Sequence, residues 1–293
     1  MIRSISAAIA LILLTGCVGR VVKPSAGAQL TNPDRVDWSD WSATLAQACT
    51  DSSVDYGRLI QDPAPLRRTL ARAANVGPDT RPNQFPDDSS RLCYIINCYN
   101  ATILDTVVRL LERSSISSSS IEFEYRFVID GRPMSPADLR HEALTLARDD
   151  WRVRFALCDA HRVGPPLFRH PFLPELLDGQ LNEVVRISLA SDHVVLVSHS
   201  ERKLLLWDEL YSVRHCLIDD YERRHRTTGA TMLNVLLDWS DEPRRFTLNS
   251  GIGYEAGILP DDHQLNYLNP PPPESQQSVF ARLASFTLLK SAK

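Results

Sequence analysis

Asn97 and Asn100 stand three residues apart in an otherwise apolar run beginning at Leu92, a spacing that puts both amides on one face of a helix. A buried amide left unpaired costs roughly 1–3 kcal/mol. The pair therefore either pins a chain segment wrapped over the helix or lines a polar notch that faces a ligand or stabilises an oxyanion. Asp138 precedes His141 by three residues, close enough for the carboxylate to fix an imidazole tautomer and leave a general base. The same aspartate, following Ser135-Pro136, is also placed to cap a helix. Asp159 and His161 lie two apart after an apolar segment; in a loop they could form an acid/base pair or a metal-binding edge, or be only a turn aspartate and a solvated histidine. The histidines at 193, 199, 215, 225 and 263 show no ligand spacing, so no metal site is expected.

Cysteines occur at 17, 49, 93, 98, 158 and 216, with no C-x-x-C or C-x-x-H pair. Cys93 lies near a helix start, where a thiol hydrolase would carry its nucleophile given a histidine on an adjacent strand; a buried cysteine is otherwise a small hydrophobe. Cys93 and Cys98 point to different faces of one helix and are poor disulfide partners. No G-x-S-x-G elbow, phosphate-cradling glycine loop or dinucleotide fingerprint is present, and no cofactor is expected.

Cys17 is different. Arg3 gives a positive start, Ile5 to Leu14 form an apolar stretch too short to span a bilayer, and Leu14-Thr15-Gly16-Cys17 follows. This ending resembles the lipobox of bacterial lipoproteins, which implies cleavage before Cys17 and attachment of lipid through its sulfur. Residues 1–16 are then a signal peptide, and 17–36 a polar, weakly patterned tether. The domain runs from 37 to 293. Two or more acyl chains anchor stably where one does not, so the expected address is the cell envelope. Val18 is not the aspartate that marks inner-membrane retention, which points to the outer membrane, facing the periplasm.

The elements that must position these side chains follow from periodicity. Apolar positions in Pro65–Ala74 have helical spacing. Leu92–Leu111 is apolar on nearly every face through Leu104 and reads as a central buried helix, with Ser89 and Ser90 at its N-cap. Ile121–Ile129 alternates as a strand, Asp130-Gly131 is a turn signal, and Ser135-Pro136 opens a helix to about Ala147. Trp151–Leu157 alternates as a second strand. Leu176–Leu189 reads as a helix, Val194–Val197 as a strand, Leu204–Leu210 as a short helix and Arg244–Leu248 as a strand. The tetraproline at 270–273 sets off a last amphipathic segment, Val279–Leu289. The fold class expected is α+β: one domain in which the Leu92 helix packs on a mixed or antiparallel sheet.

Composition excludes several functions. The 293 residues are 43% hydrophobic and 23% charged, with 32 Lys+Arg against 36 Asp+Glu. That balance is globular, and the absence of a basic block leaves no footprint for nucleic acid.

Val54-Asp55-Tyr56, Ile96-Asn97-Cys98-Tyr99-Asn100-Ala101, Ser135-x-x-Asp138-Leu139-x-His141 and Phe155-Ala156-Leu157, ending in Pro165-Pro166-Leu167, occur in an order that resembles domain-of-unknown-function family 547. The resemblance covers about 54–210, leaving 211–293 as an extension whose Leu265-Asn266 looks like the ending of bacterial members. It implies no established activity. Relatives usually carry cysteines where this chain has Asp159 and Gly164, a histidine at Arg154 and an acidic residue at Arg140. Loss of both cysteines together is what loss of a disulfide would look like, so the resemblance implies a structural pair there.

Two readings follow. In the first, a lipid-anchored envelope protein binds a ligand, an envelope polymer or a protein partner in a cleft between the Leu92 helix and the loop after Leu157. In the second, it is a hydrolase or transferase acting on an envelope polymer or peptide, with His141 as general base and Asn97 or Asn100 stabilising developing charge.

Overall fold

The computed structural model describes residues 20–24, 30, 34–50, 52–112, 121–261 and 264–268. Residues 1–19, with the signal segment and Cys17, lie outside that set, as does Val279–Leu289. The architecture is α+β in a single domain, but with two small mixed sheets where one was expected. Strand β1 (Arg20–Val22) lies within the stretch read as a tether and pairs in parallel with β2 (Tyr125–Ile129); β2 pairs antiparallel with β3 (Arg132–Met134). The β2–β3 turn is Asp130-Gly131, with φ of 50° and 75°, both in the left-handed region that a tight hairpin requires. The Asp130 carboxylate also accepts from the Asp79 and Thr80 amides at 2.6 and 2.8 Å, which ties the turn to the loop after a preceding helix.

That helix is α3 (Ala64–Ala73), preceded by α1 (Ser39–Ala48) and the short α2 (Tyr56–Gln61). The central helix is α4 (Asp88–Glu112), buried along most of its length. Its cap is Asp87 rather than Ser89 or Ser90, both of which lie inside the helix: the carboxylate accepts from the Ser90 amide at 2.8 Å, while Ser90 Oγ accepts from the Asp87 amide. A single turn, α5 (Ile121–Glu124), replaces the first half of the strand expected from Ile121. Then follow α6 (Pro136–Ala147), α7 (Val153–Ala156) and α8 (Leu177–Ala190).

The expected strand at Trp151–Leu157 is the turn α7. Val153, Phe155 and Leu157 are buried, but so is Ala156, and no neighbouring strand offers a ladder. In so short a segment alternation does not separate a buried turn from a strand. The second sheet joins β4 (Val195–Ser198), β5 (Lys203–Leu206) and β6 (Glu255–Ile258), with β5 central. The expected helix at Leu204–Leu210 is therefore wrong in its first half: consecutive Leu204, Leu205 and Leu206 are a strand buried on both faces, and helix α9 begins only at Asp208 (Asp208–Ser212). Helices α10 (Arg214–His225), α11 (Met232–Trp239) and α12 (Glu242–Asn249) complete this half. The strand expected at Arg244–Leu248 is part of α12. Asp241 caps it through the Arg244 amide at 3.0 Å, and the buried positions, Arg244 and Leu248, are four apart, while Phe246 is 83% exposed.

Among the described residues, no helix is long and apolar enough to cross a membrane.

Candidate functional site

The two asparagines of α4 act on backbone. Asn97, fully buried, donates to the Phe172 carbonyl and accepts from the Phe172 amide, both at 2.9 Å. Asn100 donates to the Ala156 carbonyl at 2.9 Å and accepts from the Cys158 amide at 3.0 Å. Gln180 on α8 repeats the device, holding the Leu173 amide and the Pro171 carbonyl. An irregular loop brought into a core carries polar backbone groups that need partners, and three side-chain amides supply them. The asparagine pair thus pins the loop after Leu157 onto the central helix.

That pinned loop forms one wall of a cleft of about 910 Å³. The N-terminal turns of α4 contribute Ser90 and Cys93, the entry to α1 contributes Asp37 and Trp38, and Phe85 closes another side; Phe168, Pro171 and Leu173 stand on the pinned loop, with Leu176 half exposed at the rim. A cleft thus lies between the Leu92 helix and this loop, but none of Asn97, Asn100, His141, Asp159 and His161 lines it. Burial pushes the Cys93 thiol up to about 12, with the Glu175 and Asp87 carboxylates adding to the rise, so it stays protonated, as a neutral, compact floor. His170 also lines the cleft, exposed and set edge-on to Phe168 at 5.6 Å between ring centres. A hydrogen bond from the Ser39 amide holds the Asp37 carboxyl below its usual range, with help from the Ser39 hydroxyl, Arg72 and Arg35. Glu175 and Glu183 add two further carboxylates to the wall.

The other predicted residues are elsewhere. His141 is exposed on α6. Its neighbour Asp138 is occupied in the capping box: Oδ2 accepts from the Ser135 amide and from Arg126, both at 2.8 Å, and Ser135 Oγ accepts from the Asp138 amide. Asp159 and His161 do meet, at 3.3 Å between Oδ2 and Nδ1, and Oδ1 accepts from the His161 amide at 3.0 Å. Their loop pairs at His161 with Leu265. A Cβ added to Gly164 would lie 3.7 Å from Asp159 Oδ1, so the two positions where relatives carry cysteines adjoin. Among the described residues no group of three His, Cys, Asp or Glu side chains could hold a metal ion. Cys49, Cys93, Cys98 and Cys158 are buried free thiols, and Cys216 is exposed.

Sequence reasoning missed the cleft's aromatic members, Trp38 and Phe85, and His170, because they come from segments far apart in the chain with no local pattern. It also missed an ion network. Arg140 and Arg154, both departures from the pattern of relatives, converge on Glu209; Arg154 lies 3.6 Å from its Oε2, and Arg140 contacts Oε1. Arg140 also reaches the Tyr99 hydroxyl, which donates to Glu122 at 2.9 Å. One glutamate thus binds both arginines.

No curated protein and no solved structure matches this chain. Residues 83–186, from the loop before α4 to the middle of α8 and so including both asparagines and the pinned loop, match the family model described as "Protein of unknown function, DUF547": the chain carries a DUF547 domain.

Proposed function

We propose that this protein is held to the bacterial cell envelope through lipid on Cys17 and binds a ligand or protein partner in the cleft at the N-terminal end of α4. The observation that carries the binding reading is the cleft itself. At about 910 Å³ it falls in the range of ligand sites, roughly 300–1,000 Å³. Its walls combine aromatic faces with a few carboxylates, and its loop is fixed by the buried amides of Asn97, Asn100 and Gln180 rather than left to fold on binding. The alternative, a hydrolase or transferase with His141 as base, draws no support from the geometry. His141 faces solvent without Asp138, and both asparagines are committed to backbone.

Trp38 lines the cleft, so its fluorescence reports occupancy. Peptide and glycan fragments of envelope polymers, titrated into the soluble domain, should change the emission saturably. Leu176 is 52% exposed, so Leu176→Asp leaves the core intact; it should weaken that binding about tenfold or more by placing a charge on the apolar rim. Binding that ignores Leu176→Asp would exclude the cleft. The anchor is tested separately by Cys17→Ser, which should abolish lipid labelling and release the protein from membranes; unchanged retention would overturn the lipid attachment.

A further inference from the structure

Only Val18 and Gly19 separate Cys17 from β1, and β1 is not loose chain. Arg20, Val21 and Val22 pair with Tyr125, Arg126 and Phe127 of β2, and Val22 packs against the core. Three residue steps of extended chain span at most about 11 Å. A lipid on Cys17 therefore holds the start of β1 within that distance of the bilayer surface, which leaves the domain no long tether on which to swing. The register puts the start of β1 beside the start of β2. Arg20 pairs with Tyr125, and two residues before Tyr125 is Phe123, 63% exposed on α5. Arg20 and Val21 are exposed on this strand, Val21 at 48%, while Lys23 follows its far end, near Arg67 and Arg109. Glu124 is the acidic neighbour, while Glu122 is engaged by Tyr99 and Arg140.

We infer that Phe123 and the start of the β1 edge form a membrane-contact face, with the Phe123 ring entering the interfacial layer next to the acyl chains and Arg20 meeting anionic headgroups. The inference rests on the lipid-anchored reading and adds an orientation to it. An exposed aromatic ring near a cationic side chain is the composition that interfacial attachment uses, and the short connection to Cys17 selects a lipid surface over a soluble partner as its occupant.

The test uses the acylated protein in vesicles of phosphatidylethanolamine and phosphatidylglycerol. In a Cys216→Ser background the remaining described thiols are buried, so Phe123→Cys or Phe246→Cys carries the only accessible spin label. Phe246, 83% exposed on α12, belongs to the half of the molecule built on the second sheet. Collision with a water-soluble relaxing agent should be reduced about fivefold or more at 123 relative to 246, and collision with membrane-dissolved oxygen raised. Equal exposure of the two labels to the aqueous agent, in protein whose mass shows acylated Cys17, overturns the contact face while leaving the anchor standing. A mass without lipid on Cys17 overturns both. Both substitutions fall at exposed positions, so neither result turns on a failure to fold.

Discussion

At the scale of single residues, α4 carries amides where a core helix would carry aliphatics because they satisfy a neighbour's backbone. Asn97→Ala would strand the Phe172 amide and carbonyl inside the protein. The expected loss is about 2–4 kcal/mol, since each unsatisfied buried group costs roughly 1–3 kcal/mol. For a chain of this size that is a fall in melting temperature of roughly 5–12 °C. Asn97→Asp should be as damaging, because a carboxylate cannot donate to the Phe172 carbonyl. His141→Ala should change the melting temperature by no more than about 2 °C, as the ring is exposed. Thermal melts of the three variants decide the matter: a stable Asn97→Ala would return the amide to the role of a ligand-facing group. The spacing of Asn97 and Asn100 was legible in the sequence, and so were the two roles open to them. Which role holds could not be read, because the partners, Phe172 and Ala156 with Cys158, lie 75, 56 and 58 residues away and contribute only backbone, which every residue has.

At the scale of elements, the misreadings share one cause. Periodicity was dependable in long segments such as α4 and α8, and failed in stretches of four to seven residues, where Trp151–Leu157 and Arg244–Leu248 imitate strands. At α12 the better signal was Asp241-Glu242-Pro243, a cap with proline in the first turn. Carboxylates at helix starts also set the acid response. Hydrogen bonds from Ser39 to Asp37 and from Ser90 to Asp87 hold those carboxyls below their usual range. Asp138 ends there too, since its bonds from Ser135 and Arg126 outweigh the upward push of burial. A carboxyl whose folded pKa is depressed binds its proton more readily in the unfolded chain, so its stabilisation is complete above the unfolded value and is lost as pH falls through the folded one. Stability should therefore be level, as far as these carboxyls go, above about pH 5 and decline below about pH 4. Asp138→Asn should be less stable than the wild type at neutral pH and lose less between pH 5 and 3. Denaturant midpoints across that range check it, and parallel slopes for the two proteins would remove Asp138 from the account.

At the scale of the whole molecule, residues 83–186 are not a separable unit. Tyr94 donates from its hydroxyl to the Ala73 carbonyl, outside the match on one side. On the other, Phe155 meets Trp207 edge-on at 5.8 Å and Trp151 meets Trp239 at 5.4 Å. The segment 264–268 is tied in more closely still. Asn266, 5% exposed, accepts from the Tyr56 hydroxyl at 2.8 Å, reaches Cys158 Sγ at 3.6 Å, donates its amide to the Ala160 carbonyl and accepts from the Val54 amide. It joins the first helices, the pinned loop and the end of the described chain in one contact set. A fragment limited to 83–186 would lose β1, α3 and this segment together, exposing apolar faces of α4 and α7 that burial otherwise stabilises at roughly 25 cal/mol per Å². It should lack the dispersed amide spectrum of a packed domain, whereas the chain from residue 20 onward should unfold in a single transition. In that longer chain Asn266→Ala, which removes the side-chain bonds to Tyr56 and Cys158 and keeps the backbone ones, should lower the midpoint by several degrees, and equally for probes at Trp41 and at Trp239, since the molecule unfolds as one unit. A well-dispersed spectrum from the 83–186 fragment, or a drop confined to one tryptophan, would mean that the family segment folds alone and that the flanking elements are additions to it.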